Sequence, residues 1–240
     1  MKEQLSFKQL INILIMVCVA LMLSACMSHQ TIEPVSIEPV ELDLKPTTAE
    51  DMYLLARRYH YGVGMHKDLP QALYWYEQSA HKGNADAQYQ LAMFYANGIA
   101  TTPNIAFATY WYRQAAMWGV SSAQINLGWL YLLGDQLTQS NKEALYWFQQ
   151  AAAQRDGEAM VILGSLYRYG RAGVKRDGKQ AVYWYTEAVK EGRAVAMFLL
   201  GDMCQQGDLV AKDEQMAQAW YKQAAAQGYQ PAIARLSQLK

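Results

Sequence analysis

The chain is short of cysteine, of net charge, of proline and of any apolar run long enough to cross a bilayer. Its three cysteines are Cys18, Cys26 and Cys204, and only Cys204 falls in the body of the chain. A disulfide framework is therefore excluded there. Lys+Arg and Asp+Glu number 21 each. With no basic excess, nothing draws the chain to nucleic-acid phosphates, and no polybasic run holds an anionic membrane surface. The longest apolar run, Leu10 to Leu23, is interrupted by Asn12. At ~1.5 Å per residue it reaches roughly 21 Å, short of the ~30 Å hydrocarbon core. Phenylalanine is scarce at 5, against 17 Tyr and 7 Trp, rings whose polar tips suit half-buried positions. HExxH, paired Cys/His spacing, a Walker loop, GxGxxG and GxSxG are all missing, so catalysis finds no residues to rest on. No cofactor, metal or small-molecule substrate is implied.

What is present begins with a leader. Lys2 and Lys8 open a charged stretch, the apolar run follows, and Leu23-Ser24-Ala25-Cys26 closes it. The run has the length of a signal-peptide core rather than of a permanent span. The closing four residues resemble the bacterial lipobox. That resemblance implies removal of residues 1–25, acylation of Cys26 and, from Met27 after the cysteine, the outer membrane. A plain secretory leader or an uncleaved anchor is the competing reading. Several acyl chains at ~0.8 kcal/mol per buried CH₂ would hold the chain durably, and membrane attachment would run through that lipid alone. Residues 26–48 then contain Pro34, Pro39 and Pro46 and no helical period, which describes an extended tether.

From residue 49 onward the chain repeats itself. Trp75-Tyr76, Trp111-Tyr112, Trp147-Phe148, Trp184-Tyr185 and Trp220-Tyr221 are spaced 36, 36, 37 and 36 residues apart. Leu55-Ala56, Leu91-Ala92, Leu127-Gly128, Leu163-Gly164 and Leu200-Gly201 keep the same beat, as do Gly62, Gly98, Gly134, Gly170 and Gly207. The spacing predicts units at about 49–84, 85–120, 121–156, 157–193 and 194–229, with a capping helix at 230–240. Each unit reads as two helices. The first stops at its column glycine, which suits a left-handed helix end. The second starts after Asp68, Asn104, Ser140, Asp177 or Asp213, all good N-cap types. The tryptophan column reads as core. Arg155 stands where other units have Gly83, Gly119, Gly192 and Gly228, which predicts a different turn in the third unit. A single unit cannot bury its apolar face, so stacking must do it.

The pattern A-x-x-x-L-G-x-x-Y-x-x-G followed by D-x-x-x-A-x-x-W-Y-x-x-A-A-x-x-G is similar to the Sel-one-like repeat family, relatives of the tetratricopeptide repeat, over roughly residues 50–240. The resemblance implies an all-α, right-handed solenoid of antiparallel helix pairs that binds proteins as an adaptor. Some cysteine-rich relatives act on β-lactams, but this chain lacks their paired cysteines, so that activity is not carried over.

Residues that break their column need a separate reason. Trp118 stands where Lys82, Gln154, Glu191 and Gln227 stand elsewhere, and Phe107 where Gln71, Glu143, Gln180 and Met216 do. Trp129 shares a column with Arg57, Met93, Ser165 and Asp202. Exposed aromatics of this kind form binding hot spots; the bland alternative is irregular packing. Phe107, Trp118 and Trp129 are the candidate partner-binding residues. Phe94 aligns with Leu130, Leu166 and Met203 and reads as core. His60, His66 and His81 lack ligand spacing, and Cys204 occupies a tyrosine column, as a buried thiol would. The expected role is a lipid-anchored adaptor in an envelope assembly. A binding-type inhibitor of one periplasmic or host enzyme is the alternative, and a cell-wall hydrolase has no residue support.

Overall fold

The computed structural model describes residues 46–134 and 138–239. The expected signal peptide, Cys26 and tether residues up to 45 lie outside the described residues. The chain divides into Met1–Asp43 and Leu44–Lys240, and the described residues all belong to the second unit. Among them are eleven helices and no strand: α1 Ala49–Tyr61, α2 Leu69–His81, α3 Ala85–Asn97, α4 Ile105–Met117, α5 Ser121–Leu133, α6 Asn141–Ala153, α7 Gly157–Tyr169, α8 Gly178–Lys190, α9 Ala194–Gln206, α10 Glu214–Ala226 and α11 Gln230–Gln238. Odd-numbered helices through α9 are first helices of a repeat and even-numbered ones second helices. Each first helix packs on its own second helix, which packs on the next first helix. The all-α repeat architecture expected from the sequence is the one observed.

The first ten helices are all 13 residues long, because the same chemistry starts and stops them. Every second helix is capped by its expected residue: the side chains of Asp68, Asn104, Ser140, Asp177 and Asp213 accept from the backbone N–H three residues on. The same five residues donate their own N–H to the carbonyls of Tyr59, Tyr95, Tyr131, Tyr167 and Cys204, at 2.8 to 2.9 Å. That backbone bond closes each loop, so a cysteine can take the tyrosine's place without changing it. The column glycines end the first helices in the left-handed region, as at Gly98 (φ 65°), where a side chain would be strained.

Arg155 corrects the sequence reading. It adopts φ 64°, the same hand as its column glycines. Its N–H reaches Ala152 O and that of Asp156 reaches Ala151 O, as those of Gly119 and Val120 reach Ala116 and Ala115. The turn is unchanged: two fixed helices dictate the backbone, and arginine bears the strain.

The core also corrects the tryptophan reading. Full burial belongs to the second ring of each pair, with Tyr76, Phe148, Tyr185 and Tyr221 at 0% exposure and Tyr112 at 4%. Of the tryptophans only Trp111 is buried; Trp75, Trp147, Trp184 and Trp220 are half-buried. One residue along a helix is a turn of about 100°, enough to move a ring from the centre of the face to its edge. The indole N–H groups of Trp111, Trp147 and Trp184 are buried without an acceptor, which nothing in the structure explains. Phe94 is fully buried, as expected.

Tight ring packing explains the small column. A methyl group added at Gly164 would lie 2.6 Å from the ring of Tyr185, and one at Gly128 2.6 Å from Phe148. The seams between repeats differ in kind. All ion pairs among the described residues lie at or beyond Arg155, whereas the first two repeats join through rings, His60 on Phe94 and His81 on Trp111.

Candidate functional site

The buried tyrosines organise the polar contacts around the candidate residues. A phenol taken out of water must find a partner for its hydroxyl. Tyr112 donates to Met93 Sδ (3.1 Å), Tyr185 meets Ser165 Oγ (3.0 Å), Tyr221 donates to Asp202 Oδ1 (2.8 Å), and Tyr76 meets His60 Nδ1 (3.2 Å). Burial pushes the tyrosines' pKa values up, that of Tyr112 to about 12, so each phenol keeps its proton. Met93, Ser165 and Asp202 share one column of the first helix. In the third repeat the buried ring is Phe148, which has no hydroxyl, and the column residue is Trp129, packed edge-on against it. Trp129 thus has a packing reason, and the signal was readable: the Tyr-to-Phe change and the Trp occur in the same repeat. It keeps 38% exposure.

Phe107 occupies the third position of α4 and joins Tyr95, Tyr110 and Trp111 in a ring cluster, at 40% exposure. Trp118 is different. It is the C-cap of α4, 71% exposed, next to Met117 at 70%, and among the described residues it joins no ring cluster. The three candidates therefore occupy three separate places: two in different aromatic clusters and one standing out alone.

The surroundings of Trp118 show what its column does elsewhere. In the third repeat Gln124, in α5, is buried; its amide donates to Ala116 O (3.0 Å) and its carbonyl accepts from Gln154, the C-cap of α6 (2.8 Å). Gln88 is the same residue one repeat earlier. It is 4% exposed and donates in the same way to Ala80 O (3.3 Å), but its Oε1 is buried without a partner. Trp118 occupies the position from which Gln154 donates. An orphaned buried carbonyl costs about 1–3 kcal/mol. Tryptophan, unlike glutamine, cannot supply the missing amide donor as Gln154 does, and it exposes a large ring.

The remaining candidates for chemistry are otherwise engaged. His60 stacks on Tyr61, with Tyr76 and Phe94 at its edges, and His81 packs on Trp111. Cys204 is half-buried, and burial raises its thiol pKa. The described residues contain no cluster of His, Cys, Asp or Glu that could hold a metal, and no helix among them is long and apolar enough to cross a membrane.

The Sel1 repeat matches at residues 49–84, 85–119, 121–156, 157–192 and 194–229. The chain belongs to the Sel1 repeat family. Among solved structures, a Sel1 repeat protein from Oxalobacter formigenes is 32% identical with a TM-score of 0.73, over 79% of this chain and 75% of that one. The protective antigen c5321 of uropathogenic Escherichia coli, described as displaying an SLR fold, is 31% identical with a TM-score of 0.75 over 80% of this chain. The present chain spans only 41% of that antigen's length. The immunity protein Pa5087 of Pseudomonas aeruginosa shares the fold at 20% identity and a TM-score of 0.51, over 78% of this chain and 70% of that one. No match is found among curated proteins. Sel1 repeats typically mediate protein–protein interaction, and the surface of this chain exposes aromatic rings such as Trp118.

Proposed function

We propose that this Sel1 repeat chain is a non-catalytic docking scaffold of a bacterial envelope, held by acylated Cys26 at the outer membrane facing the periplasm. The Pro-containing tether spaces the repeats from the lipid, and the repeats hold a protein partner of an envelope assembly. The observation that carries the binding role is Trp118, a ring 71% exposed at a position where glutamine would satisfy the buried Gln88. The leader motif supports the anchor.

The experiment is crosslinking in intact cells with the full chain, Trp118→Gln and Cys26→Ser. Trp118→Gln is expected to lose the crosslinked partner while melting at the same temperature or higher, since the new amide can donate to Gln88. Partner capture undiminished by Trp118→Gln would refute the docking role. Cys26→Ser is expected to leave the membrane fraction and lose palmitate label; continued labelling would refute the anchor. Several envelope subunits in the crosslinked set support an adaptor, whereas one soluble enzyme in equal amount turns the reading to an inhibitor.

A further inference from the structure

The loop from first to second helix is closed in every repeat by the same backbone bond, from the N-cap N–H to the carbonyl of the tyrosine or cysteine column, so its versions control for one another. Residues 98–103 carry no charge, residues 62–67 carry one lysine, and residues 207–212 set Lys212 against Asp208. The fourth repeat departs from this. Residues 170–176 are one residue longer and contain Arg171, Lys175 and Arg176 with no acid, flanked by Arg168 and Lys179. Asp208 pairs with two of these, accepting from Arg168 Nε at 2.8 Å and meeting Arg176, which leaves that trio one positive charge in excess. Asp177 is occupied as an N-cap. Arg171, Lys175 and Lys179 are exposed and pair with no carboxylate among the described residues.

Beside this loop lies a cleft of ≈ 210 Å³ between α5 and α7, lined by Trp129, Leu132, Val161, Leu166 and Tyr169, with Arg171 at its rim. The Arg171 guanidinium lies 5.7 Å from the Tyr169 ring centroid, so its charge is held over the apolar lining. Cofactor and drug-sized sites run to about 300–1,000 Å³; this cleft is smaller and suits one large side chain. An apolar cleft alone would accept any oily residue. Arg171 lines the cleft and Lys175 stands exposed four residues on in the same loop. These cations select the sign of what lies next to that residue, and pairing beside a desolvated anchor is worth more than on an open surface.

We propose that this cleft and loop form a docking site for an acidic protein segment, its apolar anchor residue in the cleft and flanking carboxylates on Arg171 and Lys175. The proposal rests on the scaffold reading only in taking the ligand to be protein. Partner capture that depends on Trp118, with no acidic peptide selected in the experiment below, would leave that reading standing and remove this one.

The test immobilises the full chain in detergent and selects from a displayed library of random peptides. The comparison proteins are Arg171→Glu/Lys175→Glu, both at exposed positions, and Trp129→Gln, each checked for its melting curve. Selected peptides are expected to carry Asp or Glu around a Leu, Phe or Trp, and to bind the charge-reversed variant at least about tenfold more weakly, with affinity falling as salt rises. Peptides without an acidic excess, or binding equally to the charge-reversed variant, would overturn the proposal. So would a chain that selects no peptide and binds phosphatidylglycerol vesicles through the same residues, because the loop would then be a lipid-headgroup site.

Discussion

Trp129 packs edge-on against Phe148 with ring centroids 5.3 Å apart, in the repeat whose buried second-helix ring has no hydroxyl. The pair is a substitute for the Ser165–Tyr185 contact one repeat later. Phe148→Tyr should therefore strand a hydroxyl beneath the indole and lower stability by about 1–3 kcal/mol. Adding Trp129→Ser should recover part of that loss by supplying the missing partner. A double-mutant cycle from urea unfolding measures the coupling; a neutral Phe148→Tyr would show that the hydroxyl does not govern the column.

Arg155 sits at φ 64° and reaches Glu191 in the next repeat (Nε to Oε1, 2.8 Å) while itself 74% exposed. A left-handed conformation costs a non-glycine residue about 1–2 kcal/mol, and an exposed pair returns at most about 1 kcal/mol. Arg155→Gly should stabilise the chain, and by more at high salt, where the lost ion pair is already screened. Melting curves at two salt concentrations decide it: destabilisation at high salt contradicts the strain.

These two residues show where the sequence was legible and where it was not. Second-helix starts were readable because one short polar side chain makes each cap. First-helix starts were less so: Thr48, Asn84 and Asp156 cap through side chains, but Val120 and Arg193 do not, and there the preceding three-residue turn holds the helix in place. Arg155 was misread because residue preference suggested a new turn, whereas the flanking helices impose the old one. The exposure of Trp118 was readable from its polar column. The orphaned Gln88 was not, since it takes a contact between two columns to see it. The buried ring of each aromatic pair depended on a rotation of one residue, finer than the period itself resolves.

Arg168 is 3% exposed and relies on Asp208 for its charge partner. Asp208→Asn should leave a buried guanidinium uncompensated and cost about 3–5 kcal/mol. By contrast Lys212→Ala, which removes an exposed pair with Glu214, should leave stability almost unchanged, because solvent screens both charges. Hydrogen exchange should quicken in α7 to α10 and stay unchanged in α1 to α4, because repeats contact only their neighbours. Uniform acceleration along the chain would count against a local clamp.

His60 is a neutral ring in a mostly aromatic setting. Burial, with the Lys67 cation second, lowers its pKa from the usual 6.5. The native state then binds fewer protons than the unfolded chain between the two values, so stability is full above about pH 6.5 and is lost as pH falls through the folded value. Thermal melts from pH 8 to pH 5 should show this acid-side decline in the wild type and a flatter profile in His60→Gln. Identical slopes would remove His60 from the explanation.

The division between ring-joined and charge-joined seams gives the chain two ends that answer to different solvents. Added salt should loosen the carboxyl-terminal repeats first, because their contacts are screened, while tightening the oily amino-terminal ones if the anion is a strongly excluded one such as sulfate. A stack of near-identical units would then fray from a chosen side. Ionic composition, rather than temperature alone, would decide which part of the surface stays available to bind.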